Sequence, residues 1–223
     1  MADEDAQAFY GRWAHLYDLL ATRTPGIVTL RRQAALACRL EPGDTVVEMG
    51  CGTGANLPYL REQVGSEGTV IGLDFTRGVL ERARVATAEY DNVHVVRADA
   101  TQPPIPDEDG VDAILATFVV GMLDEPARAV DQWCDALAPG GHLVLVNAGR
   151  SERWYAPPVN ALFGIVVALS TPPTTRLRYD RDLSGQLDRK VRDAHDRLRA
   201  RASAVAHETY AGGVVRLTGG RID

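Results

Sequence analysis

Between Thr45 and Gly54 the chain reads Thr-Val-Val-Glu-Met-Gly-Cys-Gly-Thr-Gly, an apolar run with a carboxylate at Glu48 and glycines at positions 50, 52 and 54. Few folds accommodate such a stretch. A buried strand that turns at once into a helix, with a ligand lying across the turn, has no room for β-carbons and needs backbone angles that glycine adopts freely. The helix that follows, from about Ala55, presents unpaired N–H groups and a positive dipole end at the turn, which suits a carboxylate or a phosphate. The pattern therefore predicts an α/β sheet with a ligand at the carboxyl end of its first strand.

Two further strands end in acids. Thr69-Val-Ile-Gly-Leu-Asp74 closes on a carboxylate able to accept hydrogen bonds from both hydroxyls of a ribose, and Val93-His-Val-Val-Arg97 leads into Ala98-Asp99-Ala100. The triplet Gly50-x-Gly52-x-x-Ala55 also satisfies the looser dinucleotide fingerprint, and Asp74 serves either kind of ligand. Glu48, two residues ahead of the first glycine, and Asp99 at the third strand end are additional acids that this fingerprint does not call for.

Strand and helix patterns alternate as far as residue 147, as a doubly wound sheet requires. A helix over Thr76–Tyr90 starts at a Thr76 cap. The fourth strand, Val111–Thr117, runs into the loop Phe118–Pro126. A helix to Leu137, the turn Ala138-Pro-Gly-Gly141 and a fifth strand His142–Asn147 follow. Ala204–Tyr210 and Val214–Thr218 flank Gly212-Gly213 as a closing hairpin. Ahead of the first strand, two helices meet at Thr24-Pro25-Gly26, the first with Phe9, Trp13, Leu16, Tyr17 and Leu20 on one face. After Ala148 comes an apolar stretch, Val159–Leu169, and then an Arg/Asp-rich helix from about Asp180 to Arg201. The stretch reads as a core helix on one side and, on the other, as a lid over an apolar substrate or a patch touching a bilayer.

Composition narrows the function. The 223 residues suffice for one domain. A net charge of −6 offers no basic field for nucleic acid. Cys38, Cys51 and Cys134 are odd in number and form no C-x-x-C pair, which argues against a disulfide framework or a zinc site and fits a reducing cytoplasm. Met1-Ala-Asp-Glu-Asp5 is acidic where a secretory signal is basic. The apolar stretch, broken by Asn160 and Gly164, is about half as long as a membrane-spanning helix. A cytoplasmic protein is expected, with peripheral contact at the inner membrane face left open.

The glycine motif, the three acids, the Pro-Gly-Gly turn and the terminal hairpin together resemble the class I S-adenosylmethionine (SAM)-dependent methyltransferases. That resemblance implies a seven-stranded, doubly wound, Rossmann-like α/β sheet with an antiparallel final hairpin and helical additions at the N-terminus and after the fifth strand. One domain over 1–223 is expected: helices over the site (1–40), a SAM-binding core (44–148), a helical substrate-side insertion (150–201) and the hairpin (202–220). It also implies Thr53, Asp74, Phe75, Asp99, Ala100 and Thr117 as SAM contacts, with Tyr17 facing SAM from the N-terminal helix. Glu48, Gly50, Gly52 and Gly54 shape the turn, where Cys51 stands as a small residue. Phe9–Leu20 and Tyr210–Gly220 are similar to segments of the ubiquinone/menaquinone C-methyltransferases. The loop Thr117–Gly121, with Asp124-Glu-Pro126 and Asn147, resembles bacterial phospholipid N-methyltransferases instead. Both imply a small, lipid-like methyl acceptor.

Methyl transfer needs an acceptor held in line with the sulfonium in a dry site. Transfer to carbon or oxygen also needs a base, and His15, His207 and Tyr210 are the candidates, although each reads as a structural group first, so no catalytic residue is assigned. Two alternatives remain at this stage, a SAM-binding protein without catalysis and an NAD(P)-dependent reductase. The region after residue 150 carries no recognisable reductase pattern. No Asn-Pro-Pro-Tyr-type motif follows the fourth strand, so a nucleic-acid acceptor is not expected.

Overall fold

A computed structural model of the chain describes residues 26–105, 110–161 and 183–223. The elements in order are α1 (Ile27–Ala37), β1 (Thr45–Met49), α2 (Leu57–Val64), β2 (Thr69–Asp74), α3 (Arg77–Ala86), β3 (Val93–Arg97) and β4 (Val111–Thr117). They continue with α4 (Pro126–Asp135), β5 (Leu137–Ala148), α5 (Leu183–Arg201), β6 (Ala204–Tyr210) and β7 (Val215–Arg221). The strands form one sheet in the order β3-β2-β1-β4-β5-β7-β6. β1 to β5 are parallel, and β7 runs antiparallel to both of its neighbours. The expected seven-stranded sheet with an antiparallel hairpin is what forms.

Successive strand residues point to opposite faces, so each near-continuous apolar strand feeds two cores. Val46, Val70, Leu115, Val144 and Val146 pack with α1 and α2 residues such as Ala34, Leu57 and Leu60. Val47, Met49, Ile114, Leu143 and Leu145 pack with Trp133 of α4 and with Val191, Ala194 and Leu198 of α5. Each fully buried leucine contributes about 2 kcal/mol to holding these layers. Strand order reverses between β1 and β4, which opens a crevice at their carboxyl ends, the place where such sheets take ligands.

Several boundaries differ from the sequence-based expectation. α3 stops at Ala86 rather than Tyr90, because Thr87 leaves helical geometry and its hydroxyl bonds back to the Ala83 carbonyl. Thr76 occupies the N-cap position in extended conformation, but its side chain makes no capping bond; its N–H donates to Asp74 instead. β5 begins at Leu137, since the Pro-Gly-Gly segment loops out of a strand that pairs on both sides of it. β7 extends to Arg221 because β5 offers pairing partners back to His142. The N-terminal aromatic face and most of the apolar stretch 159–169 lie outside the described residues. Among the described residues, no helix is long and apolar enough to cross a membrane.

Candidate functional site

The crevice is built on the turn after β1. Gly50 has φ +64°, and a Cβ there would lie 2.4 Å from Cγ2 of Val119, so the loop after β4 closes directly onto the turn. Gly52 also has positive φ, +55°, but nothing stands within 4 Å of its missing Cβ. One glycine is required by packing, and the other faces open space. The Cys51 N–H donates to the Leu73 carbonyl at 2.8 Å and the Gly52 N–H to Oδ2 of Asp74 at 3.1 Å, which ties the turn to the end of β2. The other oxygen of Asp74 accepts the Thr76 N–H at 2.8 Å. Each carboxylate oxygen keeps a second lone-pair direction. Burial pushes the Cys51 thiol far up, with Glu48 and Asp74 adding to the effect, so it stays protonated. Thr53 is half-buried in the same turn.

Glu48 sits beneath the turn, 1% exposed. Its Oε1 accepts hydrogen bonds from Nδ2 of Asn56 at 2.5 Å and from the Thr117 hydroxyl at 2.8 Å. Asn56 Nδ2 also lies 2.7 Å from the Thr117 oxygen, and Asn56 Oδ1 accepts Nη1 of Arg31 at 2.7 Å. Three elements and the β4 end thus converge on one carboxylate. Its second oxygen, Oε2, is buried with no hydrogen-bond partner. Burial lifts the Glu48 carboxyl to about 7, against the lowering pull of the Asn56 and Thr117 bonds and of the Arg31 charge. A buried carboxylate oxygen without a partner is a place for a cation or a donor.

The remaining expected residues line the same rim less tightly. Phe75, just past β2, is 53% exposed. Asp99 is exposed and accepts the N–H and the hydroxyl of Thr101, each at 2.8 Å, in an Asx turn after β3. Ala100 is held from below by Trp133, whose indole N–H donates to the Ala100 carbonyl at 2.7 Å. Thr117 ends β4 inside the Glu48 cluster. Tyr17 lies outside the described residues. Glu48, Gly50, Gly52, Asp74 and Thr117 are therefore brought together around one turn. Asp99, Ala100 and Phe75 stand along its outer side.

Phe118 was legible only as the start of a loop, yet it adopts φ +59°, rare and strained for an aromatic residue. Its N–H donates to the Val146 carbonyl at 2.7 Å, and the reversal turns Val119 onto Gly50. Arg31 and Asn56 are the site-region residues that sequence reasoning missed. No spacing rule links an arginine on α1 to an asparagine 25 residues later.

The candidate acid/base groups fall elsewhere. His207 is on the edge strand β6, its Nδ1 2.8 Å from the Thr218 hydroxyl, which also lies 2.8 Å from Nδ1 of the buried His195. His195 Nε2 reaches Asn147 Oδ1 at 3.3 Å, and burial drops its pKa to about 3, so the ring is neutral. Tyr210 bonds Glu208, and burial with that bond pushes its hydroxyl up to about 12. His207 is exposed on this edge strand, and Tyr210 packs against the buried cluster that includes Leu217. His15 is outside the described residues, and among those described no cluster of His, Cys, Asp and Glu is arranged to hold a metal.

Residues 47–145 match the family described as a methyltransferase domain. The chain is similar to phosphatidylethanolamine N-methyltransferase of Cereibacter sphaeroides, with 34% identity over 141 residues, 62% of this chain and 65% of that protein. It is also similar to demethylmenaquinone methyltransferase of Clavibacter sepedonicus, with 33% identity over 119 residues, 53% of this chain and 45% of that protein. It thus spans less than two thirds of the length of each. A solved SAM-dependent methyltransferase from Aquifex aeolicus shares the fold, with a TM-score of 0.60 and 20% identity over 93% of this chain and 98% of the other. The matched domain over residues 47–145, the relatives and the shared fold together support a class I SAM-dependent methyltransferase.

Proposed function

We propose that the chain transfers the methyl group of SAM to a small, lipid-like acceptor, and that the crevice over Gly50–Gly54 holds the cofactor. The observation that carries this reading is the buried, partnerless Oε2 of Glu48 under an open glycine turn. It is the complement of an ammonium group. Asp74 offers carboxylate lone pairs to ribose hydroxyls, the bare Gly52 admits a ligand against the backbone, and the rim at Phe75, Asp99 and Ala100 takes the base. Cys51 and Thr53 complete the turn as small residues.

When bound, SAM supplies an activated methyl on a positively charged sulfonium. The chain's own residues bind and orient. Thr117 and Asn56 fix Glu48, and the strained Phe118 turn folds Val119 onto Gly50 at the edge of the crevice. Between Phe118 and Leu123 every side chain is apolar or absent, so this loop brings no base to the acceptor. That favours an acceptor with its own lone pair, such as the amine of a phospholipid head group, over a quinol ring carbon. The similarity to a phosphatidylethanolamine N-methyltransferase supports the same choice. A lipid-like acceptor also implies peripheral contact with the inner membrane face, where the exposed, edge-to-face pair Trp154 and Tyr155 is suited to lie.

Calorimetric titration with SAM, S-adenosylhomocysteine (SAH) and NADH tests the cofactor. Micromolar binding of SAM or SAH is expected, none of NADH, and a loss of about 10- to 100-fold in Asp74→Ala from its missing ribose bonds. Labelled SAM with phosphatidylethanolamine or a demethylated quinol then tests the acceptor. Binding of NADH alone would refute the cofactor, and label in neither product would refute the acceptor class.

A further inference from the structure

We infer that the free edge of β6 is an interaction surface whose partner is a second copy of this chain, joined strand to strand about a two-fold axis at His207. An outer strand presents unpaired N–H and C=O groups, and folded proteins blunt such an edge with lysine, proline, a bulge or a short strand. β6 has none of these. Its seven residues, Ala204-Val-Ala-His-Glu-Thr-Tyr210, pair with β7 from end to end without a bulge, and all but Tyr210 are exposed, Val205 among them at 45%. Among the described residues, none outside β7 bonds to its backbone. At the opposite edge of the sheet, β3 is five residues long, and the guanidinium of Arg84 donates to its Val95 carbonyl at 3.1 Å. One edge is short and partly capped, the other long and bare.

The charge pattern of the strand names the partner. Antiparallel pairing of β6 with itself, centred on His207, sets Ala204 against Tyr210 of the second copy, Val205 against Thr209, Ala206 against Glu208, and His207 against its own counterpart. Like charges directly opposite each other destabilise such a pair, and here none meet. Each Glu208, which accepts a bond from the Tyr210 hydroxyl, faces a small neutral alanine. At the axis, burial and the charges of Arg199 and Arg216 hold His207 below the ordinary histidine pKa, so the ring is neutral at pH 7, and Arg199 beside it is paired with Asp196 at 2.6 Å. Moving the centre by one residue in either direction shortens the pairing at both ends, and centring it on Glu208 sets two carboxylates face to face. A single strand against its copy is a small contact, so the dimer is expected to be transient. Two-fold pairing uses up both free edges, so association stops at two chains. β6 lies four steps across the sheet from β1, which leaves the crevice clear of the contact.

The test is sedimentation velocity of the full chain over about 1 to 300 µM near neutral pH, where a reversible monomer–dimer equilibrium with a dissociation constant on the order of 10 to 100 µM is expected. Residue 206 is exposed, so it accepts charge without disturbing the core. Ala206→Glu puts a carboxylate opposite Glu208 at two symmetry-related places and should weaken the dimer about 3- to 30-fold, while Ala206→Lys should tighten it by a similar factor. Both effects should shrink in about 1 M salt. Adding Glu208→Lys to Ala206→Glu sets opposite charges across the axis again and should restore the dimer. Tightening by lysine is not an effect of damage, so that variant tests the pairing even if the glutamate variant folds poorly. A wild-type chain that stays monomeric throughout overturns the inference. So does growth beyond two chains, which means open-ended association, and so does a dimer that the glutamate and lysine variants change alike or not at all.

Discussion

Removing the charge of Glu48 should make the ligand-free protein more stable at neutral pH, although it deletes a residue of the candidate site. Burial lifts the folded carboxyl to about 7 from 4.5 for the free side chain. Between those values the folded state holds a proton that the unfolded chain has released, so stability is highest below 4.5, falls as pH rises, and levels off above 7. Each pH unit in this window is worth about 1.4 kcal/mol, so full ionisation in place costs about 3 kcal/mol. Glu48→Gln keeps an acceptor for Asn56 and Thr117 but puts an unpaired donor where Oε2 stood, a pH-independent cost of about 1 kcal/mol. The variant should thus be slightly less stable than wild type near pH 5 and about 2 kcal/mol more stable at pH 8. Urea unfolding of both proteins at pH 5, 6, 7 and 8 measures this, and taking the difference cancels every other titrating group. Parallel stability profiles would refute the reasoning, because they would mean that Glu48 is ionised at no cost in the fold. With SAH bound, an ammonium beside Oε2 should favour the charged form. Binding at pH 6 to 7 should therefore release a proton, visible as a buffer-dependent heat.

Alanine at the two turn glycines should separate packing from binding. Gly50→Ala, with its Cβ 2.4 Å from Val119, should lose about 3 kcal/mol in thermal or urea unfolding from overlap and left-handed backbone. Gly52→Ala, with open space around it, should lose only about 1 kcal/mol yet abolish calorimetric SAH binding. His195, neutral and with its pKa lowered to about 3, contributes stability above the free-histidine value of 6.5 that is lost as pH falls. Wild type should lose about 1.4 kcal/mol per pH unit across that window from this residue, and His195→Gln should show a correspondingly shallower acid denaturation profile. In Asp74→Ala, the loss of SAH affinity should exceed any loss of stability, since the bonds to Gly52 and Thr76 are single backbone contacts on a half-exposed side chain.

Where the sequence carried a period or a turn rule, it located structure well. β6 spans Ala204–Tyr210, the alternating run ahead of Gly212-Gly213, because its whole length pairs with β7. β1, β2, β3 and β4 fall where apolar runs end in Glu48-Met49, Asp74, Arg97 and Thr117. Boundaries set by tertiary partners were not legible. Nothing in Leu137-Ala-Pro-Gly-Gly-His142 says that pairing resumes beyond the glycines, since the partners come from β4 and β7. In the site, residue identity and strand-end position exposed Glu48 and Asp74, whose chemistry is stated by their type. The Asn56 bridge to Arg31 was invisible, because a polar pair 25 residues apart obeys no local periodicity and arises only once α1 and α2 pack together. His207 and Tyr210 carried plausible chemistry in the sequence, and only the strand order shows that four steps across the sheet separate β6 from β1.

The placement of β7 between β5 and β6 bears on how a nascent chain closes this sheet. During synthesis from the N-terminus, β6 emerges before β7 but has no strand to join until β7 has been made and threaded between it and β5. Until then the β5 edge, with Leu143, Val144, Leu145 and Val146, stays unpaired and open to wrong partners. The antiparallel insertion makes completion of the sheet a late, long-range event, and the interval before it is when this protein would have most need of a chaperone.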